Sequence, residues 1–384
     1  MTAAAKAPRS PARAETVGSL LRPPRLRAAV EEFFDPGHSA ALDEERDRDR
    51  SDLTAVEDEA IRSAVQRQID CGLDVVTDGE FRRWMYMNSF YDAVDGVRTG
   101  KTIAFGNDRG EDVRLNVHEI VRRLTLVDSP GAREAAFMSE ASAGHPFKVT
   151  FPAPSIFGHP LTTVVGADEG GYGSLEEFVA HAIAIERNLV ADAIAAGAGY
   201  IQFDFPLYPY LVDPIWIARF ESAGHSLDHV LDASLAADVA VLDGIPADIT
   251  TALHICRGNY RSSWMCEGSL EAVAERVFQL PFDTFLAEWD DLGRDGGFEP
   301  IRFLRDGSVM VMGIVSTKTP ILEDEDDLMR RMDEAARIAG AMDRLAISPQ
   351  CGFASVMVGN EIDEDTQWRK VELVTRVADR LWGR

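Results

Sequence analysis

The sequence predicts an α/β protein, specifically a (β/α)8 TIM barrel with an insertion after the second βα unit. Eight short apolar runs have the pattern of strands, and most of them are followed by one amphipathic helix. The runs are apolar at consecutive positions, which is typical of a parallel sheet covered by helices on its outer face. Eight such units over about 370 residues match a closed barrel, with a doubly wound open sheet as the alternative.

The first two units contain two predicted helices with a clear stop signal. The segment TVGSL at 16–20 is the first strand candidate. Apolar residues then recur at helical spacing over 25–34 and 53–72, and Gly72 is typical of a helix end. The run DVVTDGE at 74–80 follows as a buried strand that ends in polar residues.

The stretch from about residue 90 to 145 interrupts this alternation. It contains DGVRTGKTIAFGNDRGEDVRLN, whose glycines and alternating residues are typical of a hairpin or a long excursion rather than a helix. We therefore predict an insertion at about 90–145 within a single barrel domain of residues 15–384. Residues 1–14 carry a few positive charges but no apolar core, which predicts a disordered lead-in rather than a secretory signal.

Six further strand candidates alternate with helices in the rest of the chain. They are FKVTFPAP (147–154), YIQFDFP (200–206), ITTALHIC (249–256), TFLAEWD (284–290), VMVMGIVST (309–317) and RLAISPQC (344–351). The helices predicted from apolar spacing cover 178–197, 226–244, 270–280, 324–340 and 365–382. No segment matches a glycine-rich phosphate-binding loop, so a nucleotide fold is not indicated.

Composition excludes several classes of partner. The 384 residues carry a net charge of −25, which opposes binding to nucleic acid or to an anionic membrane, because such binding requires Lys and Arg to neutralise phosphates. No apolar run reaches the ~18 residues of a membrane span. The four cysteines, at 71, 256, 266 and 351, do not form a disulfide framework. These features predict a cytoplasmic protein, and a homo-oligomer is compatible with them.

The segment LHICRGN at 253–259 carries the most specific chemical signal. His254 and Cys256 lie two residues apart at the end of a predicted strand, so their side chains point the same way. Imidazole nitrogen and thiolate sulfur are preferred ligands of zinc. This pair therefore predicts one side of a metal site.

Further ligands are expected at the ends of other predicted strands. Cys351 follows an apolar run that breaks at a proline, and Glu288 ends the run TFLAE. Together with His254 and Cys256 they would complete a four-ligand zinc site. The alternative is that the cysteines are small buried hydrophobic residues, because the clustered spacing of common zinc motifs is absent.

The barrel fold adds weight to the metal hypothesis. Active sites in this fold lie at the carboxyl ends of the strands, where all eight strand ends meet. Polar or metal-binding side chains at the predicted strand ends are then neighbours. They are Ser19, Glu80, Asp204, His254, Cys256, Glu288 and Cys351.

The strand-end segments resemble the cobalamin-independent methionine synthase family, in particular its short single-barrel members. The segments that carry the resemblance are VGSLLRP, VTDGEFRR, IQFD, HICRGN, FLAEWDD followed by GGFEP, GIVSTKTPILE and AISPQCGFAS. They occur in the family's order from about residue 15 to the C-terminus. The full-length enzymes carry an additional N-terminal barrel, for which this chain has no room.

The resemblance implies roles for individual residues. His254, Cys256, Glu288 and Cys351 correspond to zinc ligands, although the spacing from His254 to Glu288 differs from that of the full-length enzymes. A further set corresponds to the homocysteine site, with Glu80 and Asp204 for the amino group and Ser19 for the carboxylate. The chain departs from the family where Asp-Glu-Pro is replaced by Asp-Phe-Pro, so that Phe205 stands in place of an acid.

Several cations near the strand ends are candidates for other contacts. Arg82, Arg83 and Arg257 could hold an anionic group of a substrate, although arginines also commonly anchor loops. Lys318 and Glu323, in STKTPILE, are predicted to form an ion pair at the mouth. We assign no catalytic residue beyond the metal site.

The resemblance implies a zinc-dependent methyltransferase that converts homocysteine to methionine. The implied partners are a small-molecule thiol and a methyl donor, either a methyl-folate or a methyl-corrinoid. One alternative is a related thiol alkyltransferase such as epoxyalkane:coenzyme M transferase, which Phe205 brings into consideration. The other is a metal-binding barrel without catalysis, against which the intact ligand set argues.

Overall fold

The computed structural model describes residues 11–34, 49–165, 171–291, 293–294 and 296–384. The helices are α1 (Pro24–Phe33), α2 (Ser51–Asp70), α3 (Asn88–Tyr91), α4 (Pro130–Ala141), α5 (Leu175–Ala195), α6 (Pro214–Ser222), α7 (Leu227–Ala240), α8 (Glu271–Val277), α9 (Glu325–Ala339) and α10 (Glu364–Trp382). The strands are β1 (Val94–Gly106), β2 (Asp112–Leu126), β3 (Lys148–Pro152), β4 (Thr163–Val165), β5 (Tyr200–Asp204), β6 (Thr250–Ile255), β7 (Thr284–Glu288), β8 (Val309–Val315) and β9 (Leu345–Pro349).

Six strands form a parallel sheet in the order β3-β5-β6-β7-β8-β9. These are the last six strand candidates of the sequence, and their pairing follows chain order. In β3, β5, β7, β8 and β9 every residue is buried, as expected for strands that are covered on both faces. The fold is the predicted (β/α)8 TIM barrel.

Two short segments connect the edges of this sheet. Ala14 bridges in parallel to Ile347 of β9, Glu15 bridges to Val75, and Val76 bridges to Phe147, which directly precedes β3. These segments take the places of the first two predicted strands. Each of these two segments pairs with its neighbours over two residues only, Ala14 and Glu15 in the first and Val75 and Val76 in the second.

The first segment differs from its prediction in position. The sequence placed the strand at 16–20, whereas the paired residues are Ala14 and Glu15. Ala14 is fully buried, so the barrel begins within the stretch that was assigned to the lead-in of residues 1–14. Residues 1–10 of that lead-in lie outside the described residues.

Side-chain capping fixes several helix boundaries. The Ser174 hydroxyl accepts a hydrogen bond from the Glu177 amide at the start of α5, and Asp324 does the same for Asp327 at the start of α9. Helix α9 ends at Gly340, which has a φ of 89° in the left-handed region that glycine adopts without strain. Seven helices lie where apolar spacing predicted them.

The insertion is mainly a long antiparallel hairpin. Strands β1 and β2 pair over most of their length, and β4 pairs with β2 to form a second, three-stranded sheet. The hairpin was predicted, but two helices inside the stretch 90–145 were not. The last residues of α3 and all of α4 lie there, and α4 packs against β3, α2 and α5 as the outer helix of the second unit.

The barrel interior combines apolar packing with a buried ion pair. A cluster of buried side chains that includes Val75, Ala252 and Leu286 fills part of it. Lys148, the first residue of β3, contacts a carboxylate oxygen of Glu15 through its ammonium group at 2.7 Å, and both side chains are buried. In the described ranges, no helix is both long and apolar enough to cross a membrane.

Candidate metal centre

The candidate metal centre lies at the carboxyl end of β6. Alternation along the strand places Ala252 and His254 on the interior face, and Cys256 continues this direction one residue after the strand ends. His254 is paired in register with Asp204 at the end of β5. The predicted His-x-Cys geometry is therefore present because β6 is a buried strand in the middle of a parallel sheet.

Cys351 joins this pair from the loop after β9. The Sγ atoms of Cys256 and Cys351 are 3.4 Å apart, and no disulfide joins them. The ligand atoms of His254, Cys256 and Cys351 all lie within 4.8 Å of one another, and all three side chains are buried. The tertiary structure has thus brought Cys351 next to Cys256, which lies 95 residues earlier in the chain, and next to His254 on the same strand end.

His254 is oriented by Asp204. The Nδ1 atom of His254 lies 3.1 Å from Oδ1 of Asp204, which also accepts a hydrogen bond of 2.7 Å from Gln202. With Asp204 accepting the Nδ1 proton, the buried Nε2 atom has no hydrogen-bond partner among the described residues. A metal-binding histidine typically donates its other ring proton to a carboxylate in this way. The orphaned Nε2 atom fits a metal ligand.

The charges of this cluster also suit a cation. Burial opposes the charged form of His254, but the hydrogen bond with Asp204 and the contact with Cys351 outweigh it and raise the pKa of His254 to about 10. A hydrogen bond from Cys256, followed by the contact with His254, lowers the pKa of Cys351 to about 5. The backbone amide of Gly258 also donates a hydrogen bond to the Sγ atom of Cys256 at 3.2 Å. The cluster therefore stabilises a thiolate, the form that binds metal.

Glu288, the fourth residue predicted as a zinc ligand, lies among cationic side chains, and its role as a ligand stays a prediction. Its Oε1 atom contacts Arg294 at 2.5 Å and Lys318 at 2.9 Å, and its Oε2 atom accepts from the Arg257 amide at 2.9 Å. Burial alone would raise the pKa of Glu288, but Lys318 and Arg294 outweigh it and hold that pKa well below its ordinary value. Both carboxylate oxygens of Glu288 have protein partners, and the described ligand atoms that lie within 4.8 Å of one another belong to His254, Cys256 and Cys351.

The ion pair predicted between Lys318 and Glu323 is not formed. Lys318 contacts Glu288 and Asp290, while Glu323 contacts Lys370 at 3.0 Å. The loop after β8 turns Lys318 towards the end of β7. There the buried carboxylates of Glu288 and Asp290 attract the Lys318 ammonium more strongly than the partly exposed Glu323 of its own loop. The sequence therefore identified Lys318 and Glu323 as charged residues at the mouth, but each of them pairs with a different residue from the one predicted.

The cluster lines a cavity of about 330 Å³ at the mouth of the barrel. The three residues predicted to hold homocysteine, Ser19, Glu80 and Asp204, line the same cavity. The Ser19 hydroxyl accepts from the Ala354 amide at 3.3 Å, and Glu80 accepts from the Thr150 hydroxyl at 3.0 Å.

Glu80 is held in an unusual conformation. It has a φ of 56°, in the left-handed region, and burial raises its pKa to about 7. A Cβ atom at Gly18 would lie 2.5 Å from its Oε1 atom, so a glycine at that position leaves space for the carboxyl group. Phe205, directly after β5, also has a positive φ of 59°. Strained conformations of this kind concentrate at functional sites.

The arginines predicted to contact a substrate anion lie elsewhere. Arg82 pairs with Glu57 and Asp58, and Arg83 pairs with Glu134. Arg257 donates to the carbonyl oxygen of Glu267, and its side chain is absent from the described lining of the cavity. These guanidinium groups neutralise internal acids or anchor loops, so the prediction of substrate contacts receives no support from the geometry.

The hairpin supplies site residues that the sequence analysis missed. Val113, Arg114 and His118 of β2 line the cavity. The His118 ring stacks on Tyr91 with centroids 4.2 Å apart, and burial lowers the pKa of His118 to about 4, which makes it a neutral ring at neutral pH. No sequence signal could place these residues at the mouth, because the hairpin follows the second strand and only folding brings it over the barrel.

The tip of the hairpin is attached to the loops that carry the cysteines. Asp108 accepts from the Trp264 amide at 2.9 Å, and Arg109 contacts Glu361 at 2.9 Å. Trp264 belongs to the loop after β6, and Glu361 follows the segment that carries Cys351. The hairpin therefore crosses the mouth of the barrel and forms one wall of the cavity.

The curated relatives of the chain include two uncharacterised proteins and a methionine synthase. The chain is 33% identical to the uncharacterised protein YxjH of Bacillus subtilis, over 97% of this chain and 96% of that protein. It is 30% identical to the uncharacterised protein YxjG of the same organism, over 97% and 95%. A methionine synthase of Methanothermobacter marburgensis is 25% identical over 77% of this chain and 82% of that protein. No protein-family model matches.

A solved structure decides the family. A candidate vitamin-B12-independent methionine synthase from Listeria monocytogenes superposes with a TM-score of 0.73 at 26% identity, over 98% of this chain and 99% of that one. The chain belongs to the cobalamin-independent methionine synthase family. A B12-independent methionine synthase from a Shewanella species, solved with selenomethionine, has the same fold, with a TM-score of 0.70 at 19% identity over 96% and 97%.

Family membership agrees with the position of the cluster in the barrel. The match to the Listeria protein extends over nearly all of both chains, so the barrel and its hairpin belong to one common architecture. Within that architecture the His254, Cys256 and Cys351 cluster occupies the carboxyl ends of the strands, where the members of this fold class carry their active sites. The family assignment and the geometry therefore point to the same end of the barrel.

Proposed function

We propose that the protein transfers a methyl group to the thiol of homocysteine, with zinc held by His254, Cys256 and Cys351. The observation that supports this most strongly is the buried cluster of one nitrogen and two sulfurs, whose ligand atoms lie within 4.8 Å at the mouth of a cavity. Catalytic zinc sites keep three protein ligands and one open position. A zinc ion here would supply the acidity that keeps a bound thiol in its nucleophilic thiolate form at neutral pH.

The chain's own residues orient the reacting groups. Asp204 holds the Nδ1 proton of His254 and so directs Nε2 towards the two sulfurs. Lys318 and Arg294 hold the Glu288 carboxylate beside the cluster and balance its charge. The buried walls exclude water from the thiolate, which would otherwise be solvated and less reactive.

Homocysteine fits the polar side of the cavity. The carboxyl groups of Glu80 and Asp204 can accept hydrogen bonds from its ammonium group, and the Ser19 hydroxyl can donate to its carboxylate. A sulfonate-bearing thiol such as coenzyme M has no ammonium group to meet these acids. It would instead need buried cations, and among the described lining residues the single arginine or lysine is Arg114, which is exposed. The geometry therefore supports homocysteine over coenzyme M.

Metal content provides the first test of this proposal. We expect about one zinc per chain in the purified protein and in Cys71→Ser, since Cys71 lies at the end of α2 away from the cluster. Cys351→Ser removes one of three ligands and should lose most of the metal. Elemental analysis of the three proteins measures this directly. Equal zinc in Cys351→Ser and the parent protein would refute the metal site.

Thiol binding provides the second test. Zinc K-edge absorption should show one additional sulfur neighbour when homocysteine is added, and a smaller change or none with 2-mercaptoethanesulfonate. A response to the sulfonate alone would favour the alkyltransferase alternative. If neither thiol changes the spectrum of a stoichiometrically loaded protein, the barrel binds metal without activating a thiol and the proposed function is wrong.

A further inference from the structure

Thr150 of β3 lies between a cavity-lining acid and a buried ion pair. Its side chain is buried, and alternation along the strand places it on the same face as Lys148, which contacts Glu15 inside the barrel. The Thr150 hydroxyl lies 3.0 Å from Oε1 of Glu80, a residue that lines the cavity. In the described ranges, Thr150 is the one side chain that donates a hydrogen bond to the Glu80 carboxyl group.

The direction of this hydrogen bond is fixed by Arg83. The Nη1 atom of Arg83 donates to the Thr150 hydroxyl oxygen at 2.7 Å, and its Nη2 atom donates to the Thr150 carbonyl oxygen at 2.9 Å. A guanidinium carries donors only, and a hydroxyl has a single proton. Because the Thr150 oxygen accepts from Arg83, its own proton points to Glu80. Glu80 is therefore the acceptor, and a hydrogen bond donated to a carboxylate favours its ionised form.

Arg83 is itself held in one orientation by Glu134 of α4. The Nε atom of Arg83 donates to Oε1 of Glu134 at 2.9 Å, its Nη2 atom contacts Oε2, and both side chains are buried. Burial opposes the charged form of Arg83, but Glu134 outweighs it and raises the pKa of Arg83. The guanidinium thus stays charged, and its position orients the Thr150 hydroxyl.

The backbone of Glu80 is fixed independently of this contact. The Glu80 amide donates to Oδ1 of Asp78 at 2.8 Å, and the Glu80 carbonyl oxygen accepts from Nη2 of Arg22 at 3.1 Å. The space around the carboxyl group is narrow, since a Cβ atom at Gly18 would lie 2.5 Å from Oε1 of Glu80 and 3.4 Å from Cγ2 of Thr150. The backbone contacts therefore place the residue, and the Thr150 hydroxyl directs its carboxyl group.

We propose that Thr150 is a positioning residue for the thiol substrate, whose hydroxyl, oriented by Arg83, holds Glu80 as an ionised acceptor for the substrate's ammonium group. This inference rests on the proposed function, because it concerns how the same site recognises the amino group of homocysteine. Thr150 is not among the described residues that line the cavity, so it acts through Glu80. A hydrogen bond between an ammonium group and a carboxylate is roughly twice as strong as one between neutral groups.

A pair of thiols that differ in the amino group tests this role. Homocysteine and 4-mercaptobutanoate share the thiol and the carboxylate, and only homocysteine carries the ammonium group. Calorimetry on the zinc-loaded parent protein at neutral pH should show homocysteine binding at least about tenfold more tightly. In Thr150→Val, which keeps the shape and loses the hydroxyl, this preference should fall to about threefold or less. Thr150→Ser keeps the hydroxyl and should retain the preference of the parent.

A matched control removes the same kind of hydrogen bond away from the mouth. The Thr251 hydroxyl donates to Oδ2 of Asp283 at 3.0 Å near the amino end of β6, so Thr251→Val should leave the thiol preference unchanged. Thr150→Ala provides a second variant without the hydroxyl in case the valine packs poorly. Zinc content, circular dichroism and thermal melting establish that each variant is folded and loaded.

The pH dependence of the preference separates orientation from packing. Burial is the largest influence on Glu80 and raises its pKa to about 7; Arg83 and the Thr150 hydroxyl act in the opposite direction, while Asp204 and Asp78 raise it further. The affinity ratio of the two thiols should therefore fall as the pH is lowered through about 7, because protonation removes the charge of Glu80. Without the hydroxyl, the midpoint should move to higher pH by about one pH unit. The ratio cancels the ionisation of the thiol group, which both ligands share.

The possible outcomes distinguish this inference from the proposed function. A parent-like preference and midpoint in both Thr150→Val and Thr150→Ala would overturn the role of Thr150 and leave the proposed function standing. Loss of the preference in Thr150→Ser as well would assign the effect to packing of the methyl group and would also overturn it. If both thiols add a sulfur to the zinc shell of the parent and bind equally, the homocysteine assignment fails, and this inference fails with it.

Discussion

Glu288 shows how one buried charge organises the mouth of the barrel. Its side chain is fully buried, and it contacts the side chains of Arg294 and Lys318, which are themselves nearly buried. Removing one member of a buried ion network leaves the others with uncompensated charge, which costs more than the network contributes in total. Glu288 therefore constrains stability although it lies outside the candidate metal cluster of His254, Cys256 and Cys351.

We expect Glu288→Gln to lower the free energy of unfolding by about 3 kcal/mol. Urea denaturation in the presence of a chelator measures this without a contribution from metal. The matched control is Glu271→Gln, whose exposed pair with Arg302 should contribute less than about 1 kcal/mol. Zinc content should be retained in Glu288→Gln. Loss of zinc without loss of stability would instead show that Glu288 is a metal ligand.

Asp238 is a second buried acid, on the outer side of the barrel. It accepts hydrogen bonds from the Tyr208 hydroxyl at 2.6 Å and from the Ser155 amide at 2.8 Å. Burial is the largest influence and raises the pKa of Asp238 from 3.8 to about 7. The folded protein therefore keeps this proton over a pH range in which the unfolded chain has released it.

This proton determines the sign of a pH effect. Between about pH 4 and 7 the folded state binds more protons at Asp238 than the unfolded state, so stability should decrease as the pH rises, by up to about 1.4 kcal/mol per pH unit. Asp238→Asn should make this decrease shallower, as measured by chemical denaturation across the range. Asp243→Asn, at an exposed position, should leave the slope unchanged. Identical slopes in Asp238→Asn and the parent would refute the assignment.

At the scale of elements, β8 packs closely against both of its neighbours. A Cβ atom at Gly313 would lie 2.7 Å from the Ala287 carbonyl oxygen of β7 and 2.7 Å from the Cα atom of Gln350, directly after β9. Both contacts are to backbone atoms, which cannot rotate away as a side chain can. The glycine therefore allows the sheet to close tightly where Glu288 and Cys351 approach the mouth.

Gly313→Ala should be destabilising by about 2–3 kcal/mol, because the added methyl group forces the strands apart. The control is Gly106→Ala at the end of β1, where no atom lies within 4 Å of the added carbon. That change should alter stability by less than about 0.5 kcal/mol. Thermal and urea unfolding of both variants provide the comparison. Equal stabilities would mean that β8 shifts easily and that the close approach is not required.

At the scale of the whole molecule, the excess of acid creates a repulsive field. The chain carries 64 acidic and 39 basic residues other than histidine, which leaves a net charge of −25. Many basic side chains already pair with acids on the surface, as Arg376 and Arg380 do with Glu325. The remaining acids repel one another, and such repulsion destabilises a compact state.

We therefore expect the melting temperature to rise when NaCl is increased from about 10 mM to about 150 mM, since the Debye length falls to about 8 Å. The effect should shrink near the pH at which the net charge vanishes, which serves as the control. Differential scanning calorimetry at both pH values measures it. A melting temperature that falls with salt at neutral pH would show that attractive surface pairs outweigh the net repulsion.

Local patterns in the chain were sufficient for the outline of the barrel. The last six strands and seven helices lie where apolar periodicity and stop signals placed them, because buried strands and amphipathic helices carry their burial pattern in consecutive residues. Helices α3, α4 and α6 were not predicted. Helices α4 and α6 each begin with a proline, and α6 has only two buried residues, so its apolar stripe is weak.

The sequence by itself determined the strand-end residues His254, Cys256 and Cys351, since each follows a recognisable apolar run. It also pointed to the family, because the strand-end motifs occur in order. Only the tertiary structure decided which groups meet. Glu288 pairs with Lys318 and Arg294. Arg82 and Arg83 pair with acids of the chain, Arg257 donates to a backbone carbonyl oxygen, and the hairpin forms one wall of the cavity. Such choices depend on distances and burial between residues far apart in the chain, which a local pattern does not contain.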